Sequence, residues 1–222
     1  MKVGLISDVH GNRVALETVL ADMPPVDELC CAGDVVGYNP WPGDCVDELR
    51  ERDVPTVLGN HDAAVAGETP FRFNGMAQAG VEYARSQLTE GQCAWLERLP
   101  TERLECDGRV KLVHGHPDDP QRYSRYTYPE EFSARLLDEE DVLVLGHTHV
   151  QGAERFAEGI VVNPGSVGQP RDGDPRAGYA VVDLAAMTVE THRVEYDVAA
   201  VQEAVEEAEL PERIGSRLAR GK

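Results

Sequence analysis

Six of the seven histidines, His10, His61, His114, His116, His147 and His149, fall in short turns that each follow an apolar run: SDVHGN, LGNHD, VHGHP and LGHTH. A fifth turn of the same kind, AGDVVGYN, carries Asp34, and only His192 lies elsewhere. Neutral imidazole and carboxylate together suit divalent first-row ions, and a carboxylate can bridge two ions while offsetting part of their charge. Glycines at Gly11, Gly33, Gly59, Gly115 and Gly146 stand beside these groups, where turns must be sharp. In LVLGHTHV (Leu143–Val150) two histidines bracket one threonine. Side chains two apart in extended chain point the same way, so His147 and His149 can face one site. A polar rim on ordinary turns is the competing reading, and the concentration of histidine weakens it.

The elements that must position these turns follow from hydrophobic period. Val3–Ser7 reads as a strand, and Leu16, Val19, Leu20 and Met23 recur at helical spacing after Asn12, a plausible cap. ELCCAG, a helix around Cys45–Arg52, and the strand-like VPTVLG follow, which is the signature of a parallel α/β unit. In such sheets ligands bind at the carboxyl ends of the strands, where the polar turns lie. Residues 74–99 read as helical with a break over Leu88–Gln92, and RLECDG-RVKLVHG as a hairpin turning at Asp107 and Gly108. LVLG, IVVN, GYAVVD and MTVETHRVEY read as further strands, then Val198–Ala208 and Pro211–Leu218 as short amphipathic helices. The simplest organisation is one domain over 1–222, with 198–222 a C-terminal helical extension.

Composition narrows the function. The net charge of −19 opposes a sequence-independent grip on DNA or RNA, which needs a basic surface. Acidic residues are spread along the chain, lysine occurs only at Lys2, Lys111 and Lys222, and arginine is common, a pattern that fits a salt-rich cytoplasm. No apolar stretch approaches the roughly 18 residues of a membrane span, and MKVGLISD lacks the long apolar core of a signal peptide. Cys30, Cys31, Cys45, Cys93 and Cys106 show no CxxC spacing and read as small hydrophobes in a reducing compartment. The expected location is cytoplasmic.

The ordered series D-x-H (Asp8–His10), G-D (Gly33–Asp34), G-N-H-D (Gly59–Asp62), H-G-x-P (His114–Pro117) and G-H-T-H (Gly146–His149) resembles the calcineurin-like metallophosphoesterase superfamily. NPGSVGQPRDGD (Asn163–Asp174) resembles its small bacterial and archaeal branch of phosphodiesterases and dinucleoside-polyphosphate hydrolases. The likeness runs from about Lys2 to Asp183. It implies an α/β fold (α+β by some schemes), a four-layer αββα sandwich of mixed sheets with a metal site at the strands' carboxyl ends. It assigns Asp8, His10 and His149 to one metal, Asn60, His114 and His147 to the other, and Asp34 as the bridge. The implied cofactors are two divalent ions, manganese first, with iron, zinc, nickel or cobalt also suited.

What the resemblance implies for mechanism is in-line attack on phosphorus by a hydroxide bridging two ions about 3.5–4 Å apart. His61 would face the leaving oxygen and donate a proton or hydrogen bond. Asp62 either orients that imidazole or serves as a helix-start carboxylate. Asn12 holds the first turn in shape, and His116 and Arg171 are candidates for substrate contact, while His192 sits in an alternating strand and carries no role. Loops at 38–43, 66–74 and 118–128 would select the substrate. Their aromatics Tyr38, Trp41, Phe71, Tyr123, Tyr126 and Tyr128 could stack a base or simply pack. The implied activity is hydrolysis of a phosphodiester or nucleotide polyphosphate. A scaffold subunit and a serine/threonine protein phosphatase are the alternatives. Expected partners are a small phosphoester or nucleotide substrate, with no sequence-specific nucleic acid and no membrane, and a homodimer left open.

Overall fold

The computed structural model describes residues 1–67, 73–121, 123 and 125–222. Its strands are β1 (Lys2–Ile6), β2 (Glu28–Cys31), β3 (Glu102–Glu105), β4 (Val110–Val113), β5 (Val142–Val144), β6 (Gly152–Arg155), β7 (Ile160–Asn163), β8 (Ala177–Asp183) and β9 (Thr188–Val194). Its helices are α1 (Arg13–Asp22), α2 (Pro42–Glu51), α3 (Asn60–Ala66), α4 (Gly75–Gln87), α5 (Glu90–Glu97), α6 (Val198–Glu207) and α7 (Glu212–Leu218). Two mixed sheets form, ordered β2-β1-β8-β9 and β3-β4-β5-β7-β6. β1 and β2 are parallel, as are β4, β5 and β7, so the carboxyl ends in each group point one way.

Period-two alternation decides which layer each residue enters. Val3 and Leu5 of β1 point between the sheets, where they join Ala180, Val182, Leu112, Val144 and Val162 in a fully buried cluster. Ile6 points the other way, into a second cluster with Leu16 and Val19 of α1 and Val46 and Leu49 of α2. Gly4 shares that face because a Cβ there would stand 2.5 Å from the Met23 sulfur. The far face of the second sheet is covered more thinly. Two 3-10 turns, Pro129–Glu131 and Ala134–Leu136, form the outermost layer there, with Phe132, Leu136 and Leu137 on Leu143, Leu145 and Val161.

Local signals account for most boundaries. Asn12 caps α1, its Oδ1 accepting from the Ala15 N–H at 3.1 Å. Thr89 and Gln92 form a reciprocal capping box that separates α4 from α5, at the break the sequence suggests. Two expectations change. VPTVLG contributes only a bridge at Thr56 to Cys31, because Pro55 has no N–H to donate and Leu58 turns away to the Pro100 carbonyl at 2.7 Å. Conversely, GAER forms β6, which pairs only with β7 at the sheet edge; its mostly exposed residues give no alternation to read. The C-terminal helices pack Val201, Val205, Ile214 and Leu218 against Tyr38 and Ala77. Among the described residues no helix is long and apolar enough to cross a membrane.

Candidate metal centre

The carboxyl ends of β1, β2, β4 and β5 meet along one rim. Main-chain bonds join them: Asp8 N–H to Gly33 O and His10 N–H to Asp34 O, both 2.9 Å, and Gly146 N–H to His114 O at 3.0 Å. The chain must turn sharply at the same place. Asp8, His10, Asp34, His147 and His149 all adopt positive φ, between 50° and 68°. That conformation costs a non-glycine residue of order 1–3 kcal/mol and concentrates at functional sites. Gly59 is required for another reason, since a Cβ there would lie 2.1 Å from Asp34 Oδ1.

Two groups of donors share Asp34. Asp8, His10, Asp34 and His149 form one and Asp34, His114 and His147 the other, with one ligand atom from each member within 4.8 Å of the rest. Asn60 joins the second group, its Oδ1 lying 3.3 Å from His114 Nε2. The structure thus brings together all seven residues assigned to metal from the sequence.

Each of the four imidazoles in these groups has one nitrogen on a main-chain carbonyl. His10 Nδ1 bonds Val36 O at 3.1 Å, His149 Nδ1 bonds Gln169 O at 2.6 Å, His114 Nδ1 bonds Ala32 O at 2.7 Å, and His147 Nε2 bonds Tyr123 O at 2.9 Å. A carbonyl only accepts, so these nitrogens carry hydrogens and the opposite nitrogens face the centre, where each offers a lone pair when the ring is neutral. The lone pairs then face other acceptors. His10 Nε2 stands 3.1 Å from His149 Nε2, and His149 Nε2 stands 3.1 Å from Asp8 Oδ1. Acceptors this close require a cation or a proton between them, and ligand distances of about 2.1 Å would let one ion reach both rings.

The electrostatics differ across the centre. Burial pushes His10 well below the ordinary histidine range, and burial together with Arg171 lowers His149. Burial also presses on His114, but Asp34, 3.3 Å from its Nε2, outweighs it and lifts the imidazole to about 9. Burial opposes the charge of Asp34 as well, and His114 and His61 nonetheless hold that carboxyl well below its usual range. Burial takes His147 down to about 3, with His114 adding to the effect.

Around this cluster the other residues named from the sequence take distinct places. His61 is buried against the rings of His10, Tyr38 and Phe73, with centroids 4.7–4.8 Å away, and burial lowers it to about 4. Its Nδ1 is buried without a hydrogen-bond partner among the described residues and lies where a Cβ on Gly37 would be 2.5 Å away. Of the two readings of Asp62, the contacts match the helix-start carboxylate rather than the residue that orients His61. Its oxygens accept from the N–H groups of Gly59 and Val36, both at 3.1 Å, so it ties α3 to the Asp34 turn. Burial and the nearby Asp34 push that carboxyl up to about 7. Asn12 also braces the rim, its Nδ2 donating to Gly168 O at 3.1 Å.

His116 Nδ1 accepts from the Asp118 N–H at 3.1 Å, and among the described residues it makes no hydrogen bond to the cluster. Arg171 donates to Tyr38 Oη at 3.2 Å and to Gln169 Oε1 at 2.7 Å, with its guanidinium carbon 5.6 Å above the Tyr38 ring. His192 stacks on Tyr179 at 4.7 Å, away from the site. Among the aromatics, Tyr126 stacks on His147 at 4.4 Å and Tyr128 on Tyr126 at 6.2 Å, while Trp41 lies under Arg13. Phe71 lies outside the described residues. The carbonyls that fix the imidazoles carry no sequence signal. Tyr38, by sequence a loop aromatic that could stack a base or simply pack, has its ring against both His10 and His61.

A sandwich of two mixed sheets with this histidine and aspartate rim defines a hydrolytic metal-site architecture, and residues 1–187 match the calcineurin-like phosphoesterase superfamily domain. The chain belongs to that family and is a phosphoesterase. Similar proteins include an uncharacterised protein of Methanocaldococcus jannaschii, 31% identical over 99% of this chain and 98% of its own. Phosphodiesterase YfcE of Escherichia coli K12 is 29% identical over 85% of this chain and 91% of its own. Among solved structures, a metallophosphoesterase from Sphaerobacter thermophilus is 37% identical, covers 100% of this chain and 99% of its own, and superposes with a TM-score of 0.87.

Proposed function

We propose that the chain is a two-metal phosphodiesterase or nucleotide-polyphosphate hydrolase. The observation that carries this is the convergence of imidazole and carboxylate groups on two adjoining points that share one carboxylate, with His10 Nε2 and His149 Nε2 3.1 Å apart. Asp8, His10 and His149 would hold one ion, Asn60, His114 and His147 the other, and Asp34 both. Two divalent ions there would supply Lewis acidity to a phosphoryl oxygen and lower the pKa of the attacking water to near neutrality. Manganese heads the candidates, since nitrogen and oxygen donors suit it along with iron, zinc, nickel and cobalt.

The chain's own groups do the rest. Carbonyl acceptors fix each ring's tautomer, so its free nitrogen needs no reorganisation to bind. His61, kept neutral by burial, donates a hydrogen bond to the leaving oxygen. The likeness to a phosphodiesterase supports the diester reading. The complete donor set disfavours a scaffold role, which would demand none of it, and the short spacing of the motifs disfavours a protein phosphatase. In this reading 1–222 acts as one domain with 198–222 as its helical extension, in the cytoplasm, on a small substrate. The charge of −19 keeps nucleic-acid polymers away. Oligomeric state follows from light scattering, with a homodimer one outcome.

The test is a hydrolysis panel of bis-p-nitrophenyl phosphate, p-nitrophenyl phosphate and dinucleoside polyphosphates, run with chelator and again after manganese is restored. Metal-dependent turnover of a diester or polyphosphate above the monoester is expected. Turnover that survives full metal removal would sink the reading.

A further inference from the structure

The four imidazoles of the cluster are not held alike. Val36, Ala32 and Gln169, whose carbonyls fix His10, His114 and His149, are fully buried. Tyr123, whose carbonyl fixes His147, is only half-buried, on the stretch that follows β4. The rings are also turned differently. His10, His114 and His149 give Nδ1 to the carbonyl and face the centre with Nε2, whereas His147 gives Nε2 to the carbonyl and faces it with Nδ1. His147 and Asn60, each 7% exposed, are the least covered of the seven donors, and both belong to the second group.

One hydrogen bond fixes the tautomer of an imidazole but leaves its plane free to tilt about that bond. His10 has its plane set by the buried rings of Tyr38 and His61, which meet it edge-on. For His147 that part falls to Tyr126, whose ring lies over it at 4.4 Å with only 17° between the planes. Tyr126 is braced in turn. Thr127 is buried, and Tyr128 points outward again, as alternate residues of extended chain do, its ring 6.2 Å from that of Tyr126 and 18° from parallel. The Tyr128 N–H donates to a Glu131 carboxylate oxygen at 2.9 Å, which ties this stretch to the following 3-10 turn. Tyr126 and Tyr128 are nevertheless two of only four large apolar side chains exposed among the described residues. An imidazole that ligates a dication loses electron density, and the negative face of an aromatic ring attracts such a group, so a stacked tyrosine favours the ion-bound form of His147 over the free one.

We propose that Tyr126 is a positioning residue for the second ion: its ring holds His147 in the plane that presents Nδ1, and sets how tightly that ion is kept while leaving the first ion untouched. The inference rests on the proposed two-metal reading for its ion-binding arm only.

The experiment compares the wild-type chain with Tyr126→Ala, Tyr126→Phe and Leu104→Ala. Leu104→Ala trims another exposed apolar side chain, on β3. Manganese is titrated by calorimetry into chelator-treated protein, and thermal melting of the metal-free chains confirms that each variant is folded. Tyr126→Ala should weaken one of two ions about tenfold and leave the other unchanged. Tyr126→Phe, which keeps the aromatic face, should bind both as the wild type does, and Leu104→Ala should alter neither. In parallel, the imidazole nitrogens of the metal-free proteins are followed by heteronuclear NMR. His147 should show one tautomer, with its hydrogen on Nε2, in the wild type and Tyr126→Phe, and an averaged pattern in Tyr126→Ala, while His10 and His149 keep theirs. If the wild type takes up fewer than two ions and the His147 nitrogens still respond to Tyr126→Ala, the two-metal reading alone has failed. Unaltered His147 nitrogens in Tyr126→Ala, a change in both ions or in neither where two are bound, or an equal effect of Leu104→Ala would overturn the inference.

Discussion

The two halves of the centre solve one electrostatic problem in different ways. Around His114 a proton can stand where a cation would, because Asp34 lies 3.3 Å from Nε2 and raises the imidazole to about 9. Around His10 and His149 no such substitute is available, since both rings are depressed and their free nitrogens face each other at 3.1 Å. The first group therefore calls for an ion more urgently, and the second trades a proton for one. Asp34 belongs to both.

Removing what the halves share should do the most damage. Asp34→Asn is expected to cost about 10³-fold in kcat and at least one ion per chain by elemental analysis. A variant that keeps two ions and most of its activity would refute the shared role. Next comes His61, which lies beside both halves without belonging to either cluster. His61→Ala should retain both ions and lose about 10²-fold in kcat, and metal loss in that variant would place the ring among the ligands.

The contrast between the halves can then be sharpened by pH. Protonated His114 favours the chelated fold below the ordinary histidine value of 6.5, and that contribution disappears as pH rises through about 9. At pH 7.5 an ion entering the second group must displace this proton, whereas one entering the first displaces none. Manganese titrations in buffers of differing ionisation enthalpy should show about one proton released, and His114→Ala should abolish it. The smallest effect belongs to the scaffold beneath. Asn12→Ala removes the α1 cap and the bond to Gly168, and should cost about 1 kcal/mol, seen as a melting point lower by about 2–4 °C with the metal content unchanged.

The site was more legible in the sequence than the surroundings that make it work. Histidine and aspartate after apolar runs mark the donor cluster because side-chain type is itself the signal. The Val36, Ala32, Gln169 and Tyr123 carbonyls that orient the rings belong to the backbone, which every residue type possesses. Asp62 shows the limit from the other side: its place next to His61 suggests a partner as readily as a helix-start carboxylate, and only the turn, which aims its oxygens at Gly59 and Val36, decides for the second. Strands facing two apolar layers were clear, whereas β6, packed on one edge, had no pattern to offer. The place of α7 was invisible for a further reason, because nothing local tells that it folds back over Tyr38, more than a hundred residues earlier in the chain.

Left-handed turns underlie five residues of the donor cluster. That rim is held in shape by its neighbours, like an arch whose voussoirs lean inward, so it has little slack. Damage to an apolar contact beneath it such as Leu5, three residues before Asp8, would be registered there early, as a weakened hold on metal at temperatures where the sheets are still intact.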